Sequence, residues 1–326
     1  MKAIIPVAGI GTRLRPHTYA TAKTLIHVAG RPILDHILNP LVELPSLSEL
    51  IFIVGDSGNQ IREYVEANYN LPATYIPQVE RQGLGHAISL AKDHAVGEPV
   101  LIMLDDGIFD IDCQRFIQSP YTVIGIKEVD NPQAFGIVEL EGEFISRLIE
   151  KPENPPTNLA IAGIYYVKNS GLLFQCLDEI IEKGIRTKNE YQLTDGLQLM
   201  LDHGEKMRVE SINWLDCGKP DVLLETNRYL LEKQPQNHHF PEAVIVPPVF
   251  IADDVIIQHA VIGPHVSISK GVRVINAIIK DAVIHPDADI QNVLLNSSII
   301  GESVQVRGDF QCLNVGSSSQ IGLHRK

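Results

Sequence analysis

Two cations, Arg13 and Lys23, follow a short glycine-bearing loop, and an apolar stretch, Ala3–Val7, runs straight into that loop. A loop of this kind at a strand end suits a polyphosphate. Glycines let backbone N–H groups approach phosphate oxygens, and the cations balance their charge. The loop reads Ala8-Gly9-Ile10-Gly11-Thr12-Arg13-Leu14. It is not a Walker A loop, because no Gly-Lys-Ser/Thr follows at the required distance. Nor is it a dinucleotide fingerprint, because Leu14 stands where the third glycine belongs. Further along lie Asp105-Asp106, the tripeptide Glu150-Lys151-Pro152, and Trp214-Leu215-Asp216-Cys217-Gly218. Gln78 precedes a second glycine-bearing stretch, Gln82-Gly83-Leu84-Gly85-His86-Ala87.

Regular elements have to position these residues. Apolar runs at Ala3–Val7, Leu50–Val54, Ala73–Ile76 and Val100–Leu104 alternate with helical patterns at Ile33–Leu44, Gln60–Asn68 and Leu84–His94. This rhythm predicts an α/β domain with a doubly wound, mostly parallel sheet. Ligands bind such sheets beyond the carboxyl ends of the strands, where the Gly9–Arg13 loop and the Asp105-Asp106 pair both fall. More strand-like segments follow at Val123–Ile126, Gly136–Leu140, Ile145–Ile149 and Ile161–Val167. Helices are expected at Gly171–Lys183, Gln192–His203 and Val222–Glu232. A polar, proline-containing stretch at 233–243 reads as a linker, and its adjacent histidines as solvated. Beyond it, Ile251–Ile257, Ile268–Val274, Ile284–Ile290 and Ile300–Val306 repeat one pattern at spacings of 17, 16 and 16 residues. Apolar residues returning every five or six positions predict three short strands per turn of a parallel β-helix. The domains expected are therefore 1–232, a linker at 233–243, and 244–326.

The longer string Gly-x-Gly-Thr-Arg-Leu-x-Pro-x-Thr with Lys23-Thr24-Leu25 resembles the signature of the sugar-phosphate nucleotidylyltransferases. The chain is most similar to glucose-1-phosphate thymidylyltransferases of the long type, which end in a left-handed β-helix. It also resembles glucose-1-phosphate uridylyltransferases. The resemblance implies a catalytic domain at 1–232 in which Arg13 and Lys23 hold a triphosphate cradled by Ala8, Gly9, Gly11 and Thr12. It implies that Asp106 and Asp216 hold Mg2+, a hard cation suited to carboxylate and phosphate oxygens. It implies that Lys151 grips a sugar phosphate, that Glu150 bonds a sugar hydroxyl, and that Gly136 and Gly163 let the sugar approach the backbone. Gln78 and the backbone at Gly83 would read a pyrimidine edge, an amide offering both donor and acceptor. The reaction implied is attack of a sugar 1-phosphate on the α-phosphorus of dTTP or UTP, with pyrophosphate leaving. Two readings from other classes stand beside it. One is a silent sugar-nucleotide-binding subunit. The other is a bifunctional enzyme whose β-helix transfers an acyl group, with His259, His265 or His285 as base. The chain departs from the family pattern at Ile10, often glycine or small, and at Gly107, where the family places asparagine or similar.

A net charge of −13 argues against a nucleic-acid partner, which would need basic patches. Residues 244–326 hold six of the 27 basic and seven of the 40 acidic residues, so nearly all the excess lies in the first part. Cys113, Cys176, Cys217 and Cys312 are scattered, which fits neither a zinc site nor a disulfide framework. No signal peptide and no apolar run of membrane-spanning length is expected. A cytoplasmic protein is the expectation, and the open end of a β-helix suits a homo-oligomer.

Overall fold

The computed structural model describes residues 1–233 and 240–309. The chain divides into two compact units, Met1–Tyr229 and Leu230–Lys326. Most of the expected linker and Cys312 lie outside the described residues. At the linker's ends, Lys233 closes the helix Pro220–Lys233 and Ala243 opens the strand Ala243–Ile245.

In the first unit the strand Lys2–Val7 lies between Glu49–Val54 and Val100–Met103, with Ala73–Pro77 beyond, all parallel. Strands covered on both faces read as unbroken apolar runs, and Ile4, Ile51, Phe52 and Ile102 are fully buried. The register aligns Val7 with Val54 and Val54 with Pro77. The loops that follow these strands, carrying Ala8–Gly11, Gln78 and Leu104–Asp106, therefore leave the same edge of the sheet.

The rest of the sheet is mixed, which corrects the expectation of a mostly parallel one. Leu159–Val167 runs antiparallel to Val100–Met103, to Thr122–Glu128 and to Gly136–Glu141. Gly136–Glu141 and Phe144–Glu150 form a hairpin. Two residues can join antiparallel strands, whereas parallel ones need a long crossover. This hairpin takes the place of a βαβ unit.

The helix expected over Leu84–His94 forms as two pieces, Leu84–Ser89 and Lys92–Ala95. The Ser89 hydroxyl donates to the His86 carbonyl at 2.8 Å, and the Leu90 N–H turns to Ile88 instead. A serine that captures the backbone acceptor of the turn before it competes with the helix ladder.

Helix Ile33–Val42 buries Ile33, Leu34, Ile37, Leu38 and Leu41, one face at helical spacing. His36, on the same helix, sits 3.0 Å from the Val28 carbonyl through Nε2. Burial pushes its pKa down to about 4. The unfolded chain binds this proton near pH 6.5 and the folded one only near 4, so stability falls as pH drops through that window. Thermal unfolding followed from pH 7 to 4 is expected to show that loss. His36→Gln, which keeps an amide donor for Val28 and cannot titrate, is expected to flatten it. An unchanged slope in the variant would remove His36 as its source.

In the second unit the short strands stack in parallel, in three columns. One column holds Ala243–Ile245, Ala260–Ile262 and the first part of Ile278–Ile284. A second holds Val249–Ile251, Val266–Ile268 and the last part of Ile278–Ile284. The third runs through Ile256–Gln258, Arg273–Ile275, Asp289–Gln291 and Gln305–Arg307. Each turn of chain sends aliphatic side chains inward, among them Ile262, Ile268, Val274, Ile279, Ile284 and Ile290, all fully buried. Each such side chain contributes about 1.5–3 kcal/mol. The corners need a left-handed backbone, and residues that tolerate it recur there. His259, Asn276 and Asn292 occupy one corner with φ of 51°, 50° and 56°. The arrangement is compatible with the β-helix expected from the repeat.

Candidate active site

Gly11 adopts φ 67° and caps a 3-10 turn, Thr12–Leu14. A side chain there would meet Thr18 at 3.0 Å and the Lys23 Cβ at 3.1 Å. Its bareness lets Lys23 pass beneath the loop, where the lysine is buried with Nζ 3.3 Å from Asp105 Oδ1. Ile10 does not carry a positive φ, and its side chain is 45% exposed. The departure at this position therefore leaves the inside of the loop unfilled. Arg13 extends away from the loop, and its guanidinium lies over the bare α-carbon of Gly218.

A cavity of about 240 Å3 opens at the sheet edge, lined by Ala8, Gly9, Gln78, Gly83, Asp105 and Asp106 among others. Gln78 is 7% exposed. Its Nε2 donates to the Gly83 carbonyl and to His86 Nδ1, each at 3.3 Å. The amide donor is thus engaged inside the protein. His86 is the third residue of the helix Leu84–Ser89, in its first turn. Gly83 has φ 112°, and a Cβ there would lie 2.5 Å from the Tyr191 carbonyl oxygen.

The neighbouring cavity, about 660 Å3, is lined by Arg13, Gly136, Glu150, Lys151, Gly163 and Asp216, and shares Asp106 and Leu104 with the first. Asp216 arrives by a pairing the sequence does not announce. The strand Asn213–Asp216 runs antiparallel to Gly107–Asp110, with Asp216 opposite Gly107. Asp216 Oδ1 accepts from the Gly218 N–H at 2.6 Å. Gly107 is also explained here, because a Cβ would fall 1.9 Å from Trp214 Nε1. The glycine makes room for an indole, not for a ligand.

Burial raises the Asp106 carboxyl above its ordinary pKa. The charges of Asp105 and Asp216 push the same way, against Lys23 and Arg13. A divalent cation would relieve this repulsion, and one Asp105 oxygen is buried without a hydrogen-bond partner. Among the described residues no set of three histidine, cysteine or acidic side chains is grouped as a full metal cage. Two carboxylates with substrate oxygens fit Mg2+, which seldom uses an all-protein cage.

Glu150, 8% exposed, accepts from the Thr194 hydroxyl at 2.7 Å, and its other oxygen lies 3.3 Å from Lys151 Nζ. Lys151 holds φ 41°, uncommon for a residue with a side chain, and its N–H donates to the Phe135 carbonyl at 3.0 Å. A Cβ on Gly136 would lie 2.9 Å from both the Glu150 carboxylate and the Thr194 hydroxyl. That glycine therefore clears space for Glu150 itself. Gly163 needs its glycine for φ 90° and for packing against Leu104.

Of the residues picked out from sequence, Ala8, Gly9, Gln78, Gly83 and Asp106 line the smaller cavity. Arg13, Gly136, Glu150, Lys151, Gly163 and Asp216 line the larger. Gly11, Thr12 and Lys23 line neither cavity; Gly11 and Lys23 pack together behind the loop. The sequence reading missed Arg81, which donates to the Ala8 carbonyl at 3.3 Å, and Asn131, Glu190, Gln192, Thr194 and Lys219 in the cavity walls. Lys219 directly follows the Trp214–Gly218 element, a signal that could have found it. The cysteines Cys113, Cys176 and Cys217 are unpaired and buried, and burial lifts their thiols to about 11, 11 and 12, too high for a nucleophile. No helix among the described residues is long and apolar enough to cross a membrane.

The chain is similar to known proteins. The family model described as nucleotidyl transferase matches residues 2–233. The bifunctional protein GlmU of Methanocaldococcus jannaschii is 39% identical over 237 residues, covering 72% of this chain and 55% of its own length. The chain thus spans about half of that relative. Glucose-1-phosphate thymidylyltransferase of Streptomyces griseus is 26% identical over 338 residues, covering 94% of this chain and 93% of its own. A crystal structure of UDP-glucose pyrophosphorylase complexed with UDP-glucose superposes with a TM-score of 0.62 over 72% of this chain and 99% of its own. At 23% identity this is a likeness of fold. With a family model matching well over half its length, and with the glycine loop, the paired carboxylates and the Glu-Lys-Pro turn gathered at one sheet edge, the chain belongs to the nucleotidyl transferase family.

Proposed function

We propose that the protein transfers a nucleotidyl group from UTP or dTTP to a sugar 1-phosphate, with glucose 1-phosphate as the acceptor, releasing pyrophosphate. One observation carries the reading: two cavities of different character meet at Asp106. The smaller offers backbone and an amide, which suits a base. The larger offers Arg13, Lys151 and Lys219 beside the Glu150 carboxylate, which suits a phosphorylated sugar.

The nucleophile is a phosphate oxygen, already ionised, so the site needs no general base. Its work is to bring two anions together and to meet the charge that grows on the departing pyrophosphate. Asp106 and Asp216 would hold Mg2+, which when bound neutralises phosphate charge. Arg13, which lines the larger cavity beside the shared Asp106, would reach the triphosphate from that side, and Lys23, paired with Asp105 behind the loop, would add a cation once that pair opens. Lys151 holds the sugar phosphate, and Glu150, fixed by Thr194, orients a sugar hydroxyl. The catalytic part is assigned to 1–232, and the repeat at 244–326 to a left-handed β-helix that serves assembly. The acyl-transfer alternative rests on the repeat, where His265 lies 3.0 Å from Glu232, His259 lines a cavity of about 1140 Å3 and His285 is buried.

Pyrophosphate release measured over a grid of sugar 1-phosphates and nucleoside triphosphates tests the reading. Turnover is expected only with both substrates and Mg2+. Tight nucleotide-sugar binding with no turnover on any pair would favour a silent binding subunit instead. Lys151→Gly isolates the ammonium, because glycine accepts φ 41° without strain. It is expected to raise KM for the sugar phosphate about 10–100-fold, the weight of a charge-assisted hydrogen bond, and to leave KM for the nucleotide nearly unchanged. Equal rises in both would move Lys151 out of the sugar-phosphate site.

A further inference from the structure

We infer that His86 is a positioning residue for the base: with the Gly83 carbonyl it locks the Gln78 side-chain amide so that only its oxygen, an acceptor, faces the nucleotide cavity. The inference rests on the proposed nucleotide reading of that cavity and adds to it the chemistry by which the base is chosen.

The argument starts from the two partners of Gln78 Nε2. Both the Gly83 carbonyl oxygen and His86 Nδ1 lie at 3.3 Å. An amide nitrogen has two hydrogens and no free acceptor. His86 Nδ1 must therefore be bare, with the imidazole proton on Nε2. The reverse rotamer would set the amide oxygen against the Gly83 carbonyl, oxygen facing oxygen, so that carbonyl selects the orientation. The imidazole, as the Nε2–H tautomer, adds a second acceptor that holds the side chain there. Burial favours the neutral imidazole this requires. The charged groups facing it oppose each other, Glu80 raising its proton affinity and Arg186 lowering it.

With both hydrogens engaged, Oε1 is the polar atom Gln78 has left to present. An acceptor at this place matches a base that offers a ring N–H. Uracil and thymine do so at N3, whereas cytosine carries a lone pair there. The lock predicts preference for UTP and dTTP over CTP and no separation of UTP from dTTP by this contact.

The test is the ratio of kcat/KM for UTP to that for CTP, by pyrophosphate release with a fixed sugar 1-phosphate. The wild type is expected to favour UTP. His86→Leu frees the amide to rotate and is expected to lower the ratio at least fivefold, mainly through KM. His86→Asn can place an acceptor oxygen where Nδ1 stood and is expected to restore most of it. In a Gln78→Leu background, His86→Leu is expected to change the ratio no further. A merely structural histidine would lower rates with both nucleotides alike and leave the ratio in place. An active wild type whose ratio ignores His86, or that does not favour UTP over CTP, overturns this proposal alone. A wild type that turns over no pair of substrates overturns the nucleotide reading and this proposal together.

Discussion

Asp106→Asn is expected to cut pyrophosphate release about 10^3-fold, the scale on which a preorganised charge contributes to a transition state. The same change is expected to make the metal-free protein harder to melt. Burial and the neighbouring Asp105 and Asp216 charges raise the Asp106 pKa. A carboxyl raised in the folded state binds its proton more tightly there than in the unfolded chain. Its ionised form therefore destabilises the fold at pH above the folded pKa. The cost shrinks as pH falls through that pKa and is gone below the unfolded value. Asparagine removes the cost and the function together, as with other strained functional groups. Melting in EDTA at pH 8 and at pH 4, beside rate measurements against Mg2+ concentration, checks both halves. Full activity at saturating Mg2+ would remove Asp106 from the site. A variant that melts lower than wild type at pH 8 would show that the carboxylate is structural.

Gly107→Ala is expected to have the largest effect on stability. The new methyl carbon would lie 1.9 Å from Trp214 Nε1 and 2.4 Å from its Cδ1. Trp214 cannot simply swing away. Its ring meets Phe135 edge-on at 5.4 Å between centroids, and its carbonyl accepts from Lys127 Nζ at 2.8 Å. Overpacking of this kind costs about 1–3 kcal/mol. The rate is expected to fall as well, about 10^2-fold, because the strand that carries Trp214 ends at Asp216, and a displacement near 1 Å can cost that much. Urea unfolding and pyrophosphate release on the single variants and on Gly107→Ala with Trp214→Ala would settle it. In the Trp214→Ala background the alanine should cost little, a coupling that shows as non-additivity. Additive costs would place the strain elsewhere.

Much of this was legible in the residues. Strands buried on both faces advertise themselves as apolar runs, and the repeat announces its own period, so the order of elements could be read directly. What stayed hidden depends on distance along the chain. Gly107–Asp110 and Asn213–Asp216 are four residues each and pair across about a hundred. Neither segment is long enough to show an alternation. Gln192 and Thr194 sit at the start of a helix, where polar residues are ordinary. Nothing local says that Thr194 reaches back to Glu150. Gly107 and Gly136 were legible as glycines, and the neighbours that demand them became visible only in three dimensions. The part played by Asp105 became visible only with Lys23 placed beside it.

That pairing has a consequence for what the site will accept. Lys23 already has a counter-ion, 3.3 Å away and largely out of water. On the proposed reading, an incoming anion that engages this lysine performs an exchange and does not fill an empty hole. A singly charged anion merely replaces Asp105 and gains little, while leaving a bare carboxylate behind. A triphosphate brings several charges at once and can engage Arg13 and a divalent cation in the same event. On that reading the site would act as a valence filter, indifferent to chloride or acetate. With the product gone, Asp105 would take the lysine back, and no buried cation would be stranded between turnovers.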